Sequence, residues 1–326
     1  MPLLSRIAGL ALLALGAALS AVPAAAQSTA SRPMKFIVPF GPGGSGDTIA
    51  RLIGQHLSER TGQTVVVENR MGAGGNIGAD AVAKSDPDGT TLLMAANYLA
   101  MSPSLYTKMS YDPMKDLAPV TMVGDVPMVV VVNLSVPAQS IKELVALAKS
   151  KPGELAYATP GHGTSTHLAS ELFKQQAGID MRHVPYRANP LAMNDVIGGQ
   201  VPVFMDLVTT GAPHVRGGKV RGLATTGAKR SAVLPELPTM IEAGVPDFDV
   251  TTWIAVFTAG GTPRDTAARL HKEIAVILAI PAVKERLATF GVEMSGEGPD
   301  RLAAILKSDT EKWGAVVRKA GIGRLD

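Results

Sequence analysis

The feature that most constrains this chain is a pattern that occurs twice: a short apolar strand, a glycine-rich turn and an amphipathic helix. The first copy begins with residues 34–39 (MKFIVP), passes through a turn with four glycines, and continues as a helical pattern over 47–60. The second copy begins at 155–159 and leads into a helical pattern over 166–176. Strands that alternate with helices in this order are typical of parallel β-α-β units. The pattern predicts an α/β fold with two lobes, each a mainly parallel sheet flanked by helices.

The other elements are predicted from hydrophobic periodicity and from the positions of Gly and Pro. Two strands, near 126–133 and 250–259, are expected to link the lobes, so the first lobe is predicted to comprise 33–130 plus 255–326 and the second 131–254. Asp47 is the expected N-cap of the first helix and Ser165 that of the second. Further strands are predicted at 64–68, 91–96, 182–185, 201–206 and 220–225, and further helices at 77–84, 140–150, 189–197, 266–279, 281–290 and 299–319.

The composition excludes several classes of function. The 326 residues contain no cysteine, which rules out disulfides, thiolate metal sites and cysteine nucleophiles. A net charge of +3 without Lys/Arg blocks, together with only 7 Phe, 5 Tyr and 2 Trp, argues against nucleic-acid binding. The 34 glycines exceed the usual ~7% of residues. Ten of them lie in three turns, at 41–46, 72–78 and 161–163.

The N-terminus has the pattern of a secretory signal peptide. Arg6 is the only charged residue among the first 26, and an apolar run follows from residue 7 to residue 22. Small residues then end in Ala26, after which cleavage is expected. The run is shorter than the ~20 residues that span a bilayer, so a membrane anchor is the weaker interpretation. The chain is therefore predicted to be exported with residues 1–26 removed.

The glycine-rich turns are candidates for an anion site. The segments 39–50, 71–83 and 156–173 each join such a turn to a helix start, and none contains Lys or Arg. Backbone N–H groups at a helix N-terminus attract anions, and glycine allows a ligand to approach closely. The turns are equally consistent with ordinary β-α connections. The first turn also matches G-x-G-x-x-G, with Glu68 as a ribose-binding acid, and it narrowly misses the G-x-S-x-G elbow of hydrolases.

The histidines indicate no metal site, because His162 and His167 are five residues apart and have no carboxylate at ligand spacing. Asp206 ends an apolar strand, where acids of α/β sheets either contact a ligand or cap the next helix. No cofactor is expected.

Several motifs in chain order carry a resemblance to a known family. They are FIVPF with PGG and Asp47, VENR, GAGGNIG, PDG, PSLY, YDP, HVPY, GGQV, AKRS, PELPT and AGGTP. These resemble the substrate-binding proteins of tripartite tricarboxylate transporters, the Bug family of periplasmic receptors. The resemblance covers essentially the whole mature chain.

The resemblance implies a Venus-flytrap fold that closes on a mono-, di- or tricarboxylate, with no catalysis, as a monomer that delivers its ligand to permease subunits or to a sensor. The turns of the two lobes would grip the ligand carboxylate, and Tyr186 with Asp206 would contact its distal end. The expected ligand-binding residues are Phe40, Gly43, Gly44, Ser45, Asp47, Asn97, Thr159, Gly161, Gly163, Thr164, Ser165, Tyr186 and Asp206.

The chain also departs from the family pattern. The third strand ends in Ala95-Ala96-Asn97-Tyr98, where the family commonly has small hydroxyl residues, and Arg187 replaces a more usual lysine. Tyr98, His162 and Arg187 are therefore open questions for specificity, and the sequence does not name the ligand. The alternative prediction is an exported hydrolase or oxidoreductase that uses the first turn.

Overall fold

The computed structural model describes residues 32–325, so the predicted signal peptide lies outside the described residues. The strands are β1 (Met34–Val38), β2 (Val65–Asn69), β3 (Thr91–Ala96), β4 (Leu117–Val132), β5 (Ala156–Thr159), β6 (Arg182–Pro185), β7 (Val203–Leu207), β8 (Arg221–Thr225), β9 (Thr251–Ala259) and β10 (Glu293–Met294). The helices are α1 (Ser45–Thr61), α2 (Asn76–Ala83), α3 (Tyr98–Leu105), α4 (Ile141–Ser150), α5 (Ser165–Ala177), α6 (Asn189–Ile197), α7 (Val208–Arg216), α8 (Arg264–Ala279), α9 (Pro281–Thr289) and α10 (Pro299–Ala320), with a short 3₁₀ turn at Ala73–Gly75.

The strands form two parallel groups joined by two antiparallel strands. β2, β1 and β3 are parallel neighbours on one side, and β6, β5 and β7 are parallel neighbours on the other. Between the groups lie β9 and β4, which are antiparallel to each other and to their outer neighbours β3 and β7. This topology agrees with the predicted two-lobed α/β fold, and the two central strands overlap the segments 126–133 and 250–259 that were expected to link the lobes.

β4 is a long strand that pairs with both groups. Its first part, Leu117–Pro127, pairs with β9, whereas Met128–Val132 pairs with β7 and β8. Val129 packs into the core on one face of the sheet and Val130 into the core on the other. A strand that is buried on both faces needs apolar side chains at every position, which explains the run of valines.

Two helices, the two-residue strand β10 and the first part of β4 were not predicted. α3 and α7 each contain an internal proline, and α3 is buried on nearly every side, so it lacks the amphipathic period that identifies surface helices. The predicted start of β4 at residue 126 was wrong, because the strand begins at Leu117. Its first part contains Pro119 and Gly124, residue types that are depleted in strands.

The C-terminal helix α10, 22 residues long, helps to position the functional region. It packs against α3, β4 and α5. Beyond it, Leu325 returns to α3, where its N–H donates to the Leu105 carbonyl and it forms a bridge with Tyr106. Within residues 32–325, no helix combines the length and the apolar run that crossing a bilayer requires.

Candidate functional site

A cavity of about 450 Å³ lies at the carboxyl ends of the two parallel groups of strands. Its volume falls within the ~300–1,000 Å³ of typical small-molecule sites. Its walls come from both groups, from α3, and from the central strands. The loop after β1 contributes Phe40, Gly44, Ser45 and Gly46, and the loop after β5 contributes Pro160, His162, Gly163, Thr164, Ser165 and Thr166.

The first loop turns sharply into α1. Gly43 has a φ of +80°, a conformation that favours glycine, and its N–H donates to Asp47 Oδ2 at 3.0 Å. Gly44 is the N-cap and the helix begins at Ser45, so the prediction of Asp47 as N-cap was wrong. The N–H groups of a first helical turn have no partner within the helix, and those of Ser45 and Gly46 belong to residues that line the cavity.

Asp47 holds this loop from behind and does not line the cavity. Its carboxylate is buried and also accepts hydrogen bonds from Arg51 (Nε 3.0 Å, Nη2 2.9 Å) and from Asn69 Nδ2 (3.0 Å). The hydrogen bond with Arg51, supported by those from Gly43 and Asn69, lowers the pKa of Asp47 to about 2 against the opposing effect of burial. The carboxylate is therefore ionised at neutral pH and fixes the Gly43 peptide.

The second loop repeats this arrangement with a different side chain. Gly163 has a φ of +73°, and its N–H donates to His167 Nδ1 at 3.0 Å, four residues later, as Gly43 does to Asp47. The N-cap of α5 is Thr164, whose hydroxyl accepts from the His167 N–H, so the prediction of Ser165 as N-cap was wrong. His167 thus holds the loop in shape, although it was not among the expected site residues. The matching four-residue spacing in the two loops was the available signal.

Three imidazoles come together at the second loop, from the loop itself, from α5 and from β6. His183 arrives on β6, which pairs with β5, and the ring nitrogens of His162, His167 and His183 lie within 4.8 Å of one another. His183 Nε2 lies 2.6 Å from Thr159 Oγ1. Burial lowers the pKa of His167 to about 4 and that of His183 to about 3, so both rings are neutral at neutral pH.

The cluster fits poorly as a metal site. Because His167 Nδ1 accepts the Gly163 N–H, the proton of the neutral ring is on Nε2, and neither nitrogen keeps a lone pair for an ion. Binding of a metal through all three rings would require this loop hydrogen bond to break. His183 was not among the predicted site residues, because only the pairing of β5 with β6 brings it near the other two histidines.

The wall formed by α3 and its neighbours is mainly apolar. Phe40 and Tyr98 form an edge-to-face pair with centroids 5.6 Å apart. Asn97 lines the cavity, and its Nδ2 donates to the Thr251 carbonyl at 3.4 Å. The hydroxyls of Tyr98 and Thr252 are buried without a hydrogen-bond partner among residues 32–325. The other side chains of this wall are Met94, Ala95, Ala96, Met101, Ser102, Leu105, Tyr106, Val126, Ile254 and Leu325.

Four other predicted site residues lie behind the lining. Thr159 Oγ1 accepts from the Gly161 N–H and so shapes the second loop. Tyr186 donates its hydroxyl to Asp195 Oδ2 at 2.7 Å. Asp206 is fully buried, and burial raises its pKa to about 6 despite hydrogen bonds from its neighbours.

Two cavity residues that were not predicted donate hydrogen bonds to Asp206. Asn189 Nδ2 donates to Asp206 Oδ1 at 2.8 Å, and the Thr210 hydroxyl donates to the same carboxylate at 2.8 Å. Asn189 begins α6 and Thr210 lies in the first turn of α7. Because α7 was not predicted, Thr210 had no place in the expected site.

A two-lobed α/β chain with a ligand-sized cavity between two glycine-rich loops defines a solute-binding protein of the Venus-flytrap class. Residues 49–322 match the family described as the tripartite tricarboxylate transporter family receptor, TctC. The chain belongs to this family of solute receptors, which confirms the resemblance found in the sequence.

Individual relatives are similar over nearly their whole length. BugT of Bordetella pertussis is 39% identical over 303 residues, which cover 92% of this chain and 93% of BugT. Rpa4515 of R. palustris, solved with adipate, is 35% identical with a TM-score of 0.80 and covers 90% of this chain and 99% of its own. MatC from Rhodopseudomonas palustris, solved with bound malate, is 30% identical with a TM-score of 0.76, and the match covers 88% of this chain and 99% of the MatC chain.

Proposed function

We propose that this protein is a periplasmic receptor that binds a small organic carboxylate in the cavity and presents it to permease subunits of a tripartite tricarboxylate transporter or to a sensor. One observation carries the proposal: the N-termini of α1 and α5, which follow strands of different groups, line one cavity. Each helix brings free N–H groups and the positive end of its dipole to the same place. A carboxylate is the simplest ligand that accepts hydrogen bonds from these N–H groups and carries the negative charge that the helix dipoles favour.

The assignment of residues to roles follows from this arrangement. The residues proposed to contact the ligand are Phe40, Gly44, Ser45, Asn97, Gly163, Thr164 and Ser165. Gly43, Asp47, Thr159 and Gly161 hold the two loops in shape, and Tyr186 and Asp206 support α6 and α7 through side-chain hydrogen bonds. The adipate and malate found in two related structures support a carboxylate as the ligand class.

A receptor is favoured over an enzyme by the surroundings of the first loop. Among residues 32–325, the Ser45 hydroxyl makes no side-chain hydrogen bond to a base, although an activated serine needs one within reach. Glu68, the acid of the dinucleotide pattern, pairs instead with Arg70 at 2.9 Å and with Lys35 at 3.9 Å. These contacts favour binding without turnover.

The mechanism proposed is closure of the two lobes around the ligand. The lobes would be residues 33–130 plus 255–326 and residues 131–254, since the pairing of β4 changes between Pro127 and Met128. A ligand that contacts both loops stabilises the closed form by its preference for that form. We also propose that the protein is exported with cleavage after Ala26 and that the receptor is a monomer.

The test is to measure binding of a panel of small carboxylic acids to the mature protein and to compare each acid with its amide. Calorimetric titration and thermal shift should detect binding of at least one acid at micromolar concentration, about −8 kcal/mol, and no binding of the matching amide. Thr164→Val should weaken binding at least fivefold, because it removes the hydroxyl that accepts from the His167 N–H and caps α5.

Two outcomes would contradict the proposal. One is that the amides bind as tightly as the acids, because the two helix N-termini would then not distinguish a charged ligand from an uncharged one. The other is turnover of an ester that Ser45→Ala abolishes, which would favour the hydrolase. Thr289→Val, at an exposed position at the end of α9 and outside the cavity lining, is the matched control for Thr164→Val and should bind like the wild type.

A further inference from the structure

The third glycine-rich turn, residues 72–78, contacts the wall of the cavity. Among the described residues, this turn contributes Gly74 alone to the cavity lining. A Cβ added to Gly75 would lie 2.9 Å from Tyr98 Cε2, and a Cβ added to Gly74 would lie 2.8 Å from Tyr106 Oη. The φ angles of Gly74 and Gly75 are +64° and +106°, which favour glycine. Glycine at these two positions therefore lets two tyrosines of the cavity wall lie directly against the backbone of the turn.

Tyr98 is held in place by two neighbours. It is the first residue of α3, and its ring forms an edge-to-face pair with Phe40, with centroids 5.6 Å apart and an angle of 90° between the rings. The Cδ2–Cε2 edge of the same ring lies against Gly75. Closely packed side chains stay in one rotamer, and aromatic pairs favour this perpendicular arrangement. The Tyr98 ring is therefore a fixed part of the wall.

The hydroxyl of Tyr98 does not face the cavity. The ring lines the cavity, but the hydroxyl oxygen is buried and has no hydrogen-bond partner among residues 32–325. An oxygen that pointed into a cavity of about 450 Å³ would be accessible to water. Tyr98 therefore presents ring carbons to a ligand, so it can limit the size of the ligand without forming a hydrogen bond to it.

We propose that Tyr98 is a specificity-determining residue, because its ring sets the length of the carboxylate that the cavity accepts. The ring bounds the cavity beside the third turn, and Phe40 and Gly75 prevent it from moving aside when a longer ligand enters. Well-packed side chains accommodate extra methylene groups poorly. The inference rests on the proposed function, since it assumes that a carboxylate occupies the cavity. It concerns the length of the ligand and applies equally to acids with one or two carboxylates.

The test uses three series of acids that differ in length. These are the straight-chain monocarboxylates from acetate to octanoate, the α,ω-dicarboxylates from malonate to suberate, and benzoate with 3-phenylpropanoate and 5-phenylpentanoate. Calorimetric titration of the mature protein with each acid gives a length profile, defined as the dissociation constant against chain length within a series. One methylene group in an apolar pocket changes discrimination roughly 10–200-fold. In Tyr98→Ala, the acid two carbons longer than the best wild-type ligand should therefore gain at least tenfold in affinity relative to that ligand.

The outcomes separate this inference from the receptor function. An unchanged length profile in folded Tyr98→Ala would overturn the inference and leave the receptor function standing. Failure of the wild type to bind any acid of the three series would overturn both. Tyr98→Leu, which also shortens the side chain and is a good helix former, takes the place of Tyr98→Ala if the alanine variant does not fold, with the same expected result.

Two further variants test whether the size of the ring is the cause. Tyr98→Phe keeps the ring and removes the buried hydroxyl, so its dissociation constants should stay within twofold of the wild type. A tenfold loss would mean that the hydroxyl contacts the ligand, against the inference. Tyr111→Leu is the matched control, because it removes a buried ring outside the cavity lining. It should lower Tm and keep the wild-type length profile, and a shift as large as that of Tyr98→Ala would point to general loosening and overturn the inference.

Gly75→Ala tests the contact with the third turn from the opposite direction. The new Cβ would lie 2.9 Å from Tyr98 Cε2, so the ring must move away from the turn. The longest acid that the wild type binds should lose at least fivefold in affinity relative to the shortest one. An unchanged ratio in a folded Gly75→Ala protein would show that the turn does not set the position of the ring, and the inference would fail.

Discussion

Replacing Asp47 with asparagine tests whether the first loop is held in its binding shape by one buried carboxylate. Asp47 accepts four hydrogen bonds, from the Gly43 N–H, from Arg51 twice and from Asn69. Asparagine keeps one acceptor oxygen and puts an NH₂ group where the other oxygen was. Two of the four donors then face a donor, and the Gly43 peptide is free to rotate.

The expected loss can be worked from these contacts. Hydrogen bonds to a charged group contribute about 1.5–3 kcal/mol each, but Arg51 is half-exposed and recovers part of its loss from water. The lowered pKa of Asp47, about 2 against an ordinary 3.8, corresponds to at most about 2 kcal/mol before that screening. We therefore expect about 1–3 kcal/mol of lost stability. For a chain of this size that is a fall in Tm of about 2–5 °C.

Two assays separate stability from binding. Differential scanning calorimetry measures Tm, and titration with a carboxylate that the wild type binds measures affinity, which should fall at least tenfold. The stability difference between wild type and Asp47→Asn should also shrink as the pH falls from about 4 to 2. A carboxylate with a lowered pKa stabilises the fold above its unfolded pKa and loses that effect when it is protonated.

The control is Asp80→Asn, on α2 and outside the cavity lining, where the carboxylate accepts hydrogen bonds from Lys84 and from Ser110. It should lower Tm without changing the dissociation constant by more than twofold. If Asp47→Asn also lowers Tm but binds the ligand like the wild type, the carboxylate does not shape the binding loop and the reasoning is refuted.

Three further changes have definite expectations. Gly163→Ala should weaken ligand binding at least fivefold in a titration, since its φ is +73° and the new Cβ would lie 2.8 Å from Leu105 Cδ1; wild-type affinity would show that the loop tolerates both. Burial lowers the pKa of His183, so in the wild type the unfolded chain takes up this proton before the folded chain does, and stability drops as the pH falls. His183→Gln removes this proton uptake and should therefore show a smaller fall in Tm between pH 6.5 and 4. A scan of Tm against pH checks this with His214→Gln as the control outside the cluster, and equal slopes for the wild type and His183→Gln would contradict it. Ser140→Ala removes the N-cap of α4 and should lower stability by about 1 kcal/mol in urea unfolding with no change in affinity; a change in affinity would mean that α4 is coupled to the cavity.

Much of the fold could be predicted because the elements carry local signals. The bounds of β3, β6 and α6 agree with the predicted ranges, since each is a periodic or apolar run delimited by Gly, Pro or polar residues. Both glycine-rich loops were also located correctly. Prediction failed for α3 and α7, which both contain an internal proline, and in α3 burial on nearly every side also conceals the helical period.

The candidate site was predictable only in part, because its residues meet through strand pairing. Seven of the thirteen expected residues line the cavity, including Ser45 and Ser165 at the two helix starts. Asp206 was expected to contact the ligand, but it lies behind Asn189 and Thr210 and accepts hydrogen bonds from both. Which face of a strand end a side chain occupies depends on the neighbouring helix, and α7 was missing from the prediction.

The sequence by itself determined the class of fold, the two glycine-rich loops and the family, since these depend on local composition and on motifs in chain order. Only the tertiary structure decided what holds and what lines the site. The pairing of β5 with β6 brings His183 to His167, which are 16 positions apart, and the return of the chain after α10 brings Leu325 to Leu105. Such contacts join residues that are distant in the chain, and local sequence carries no record of them.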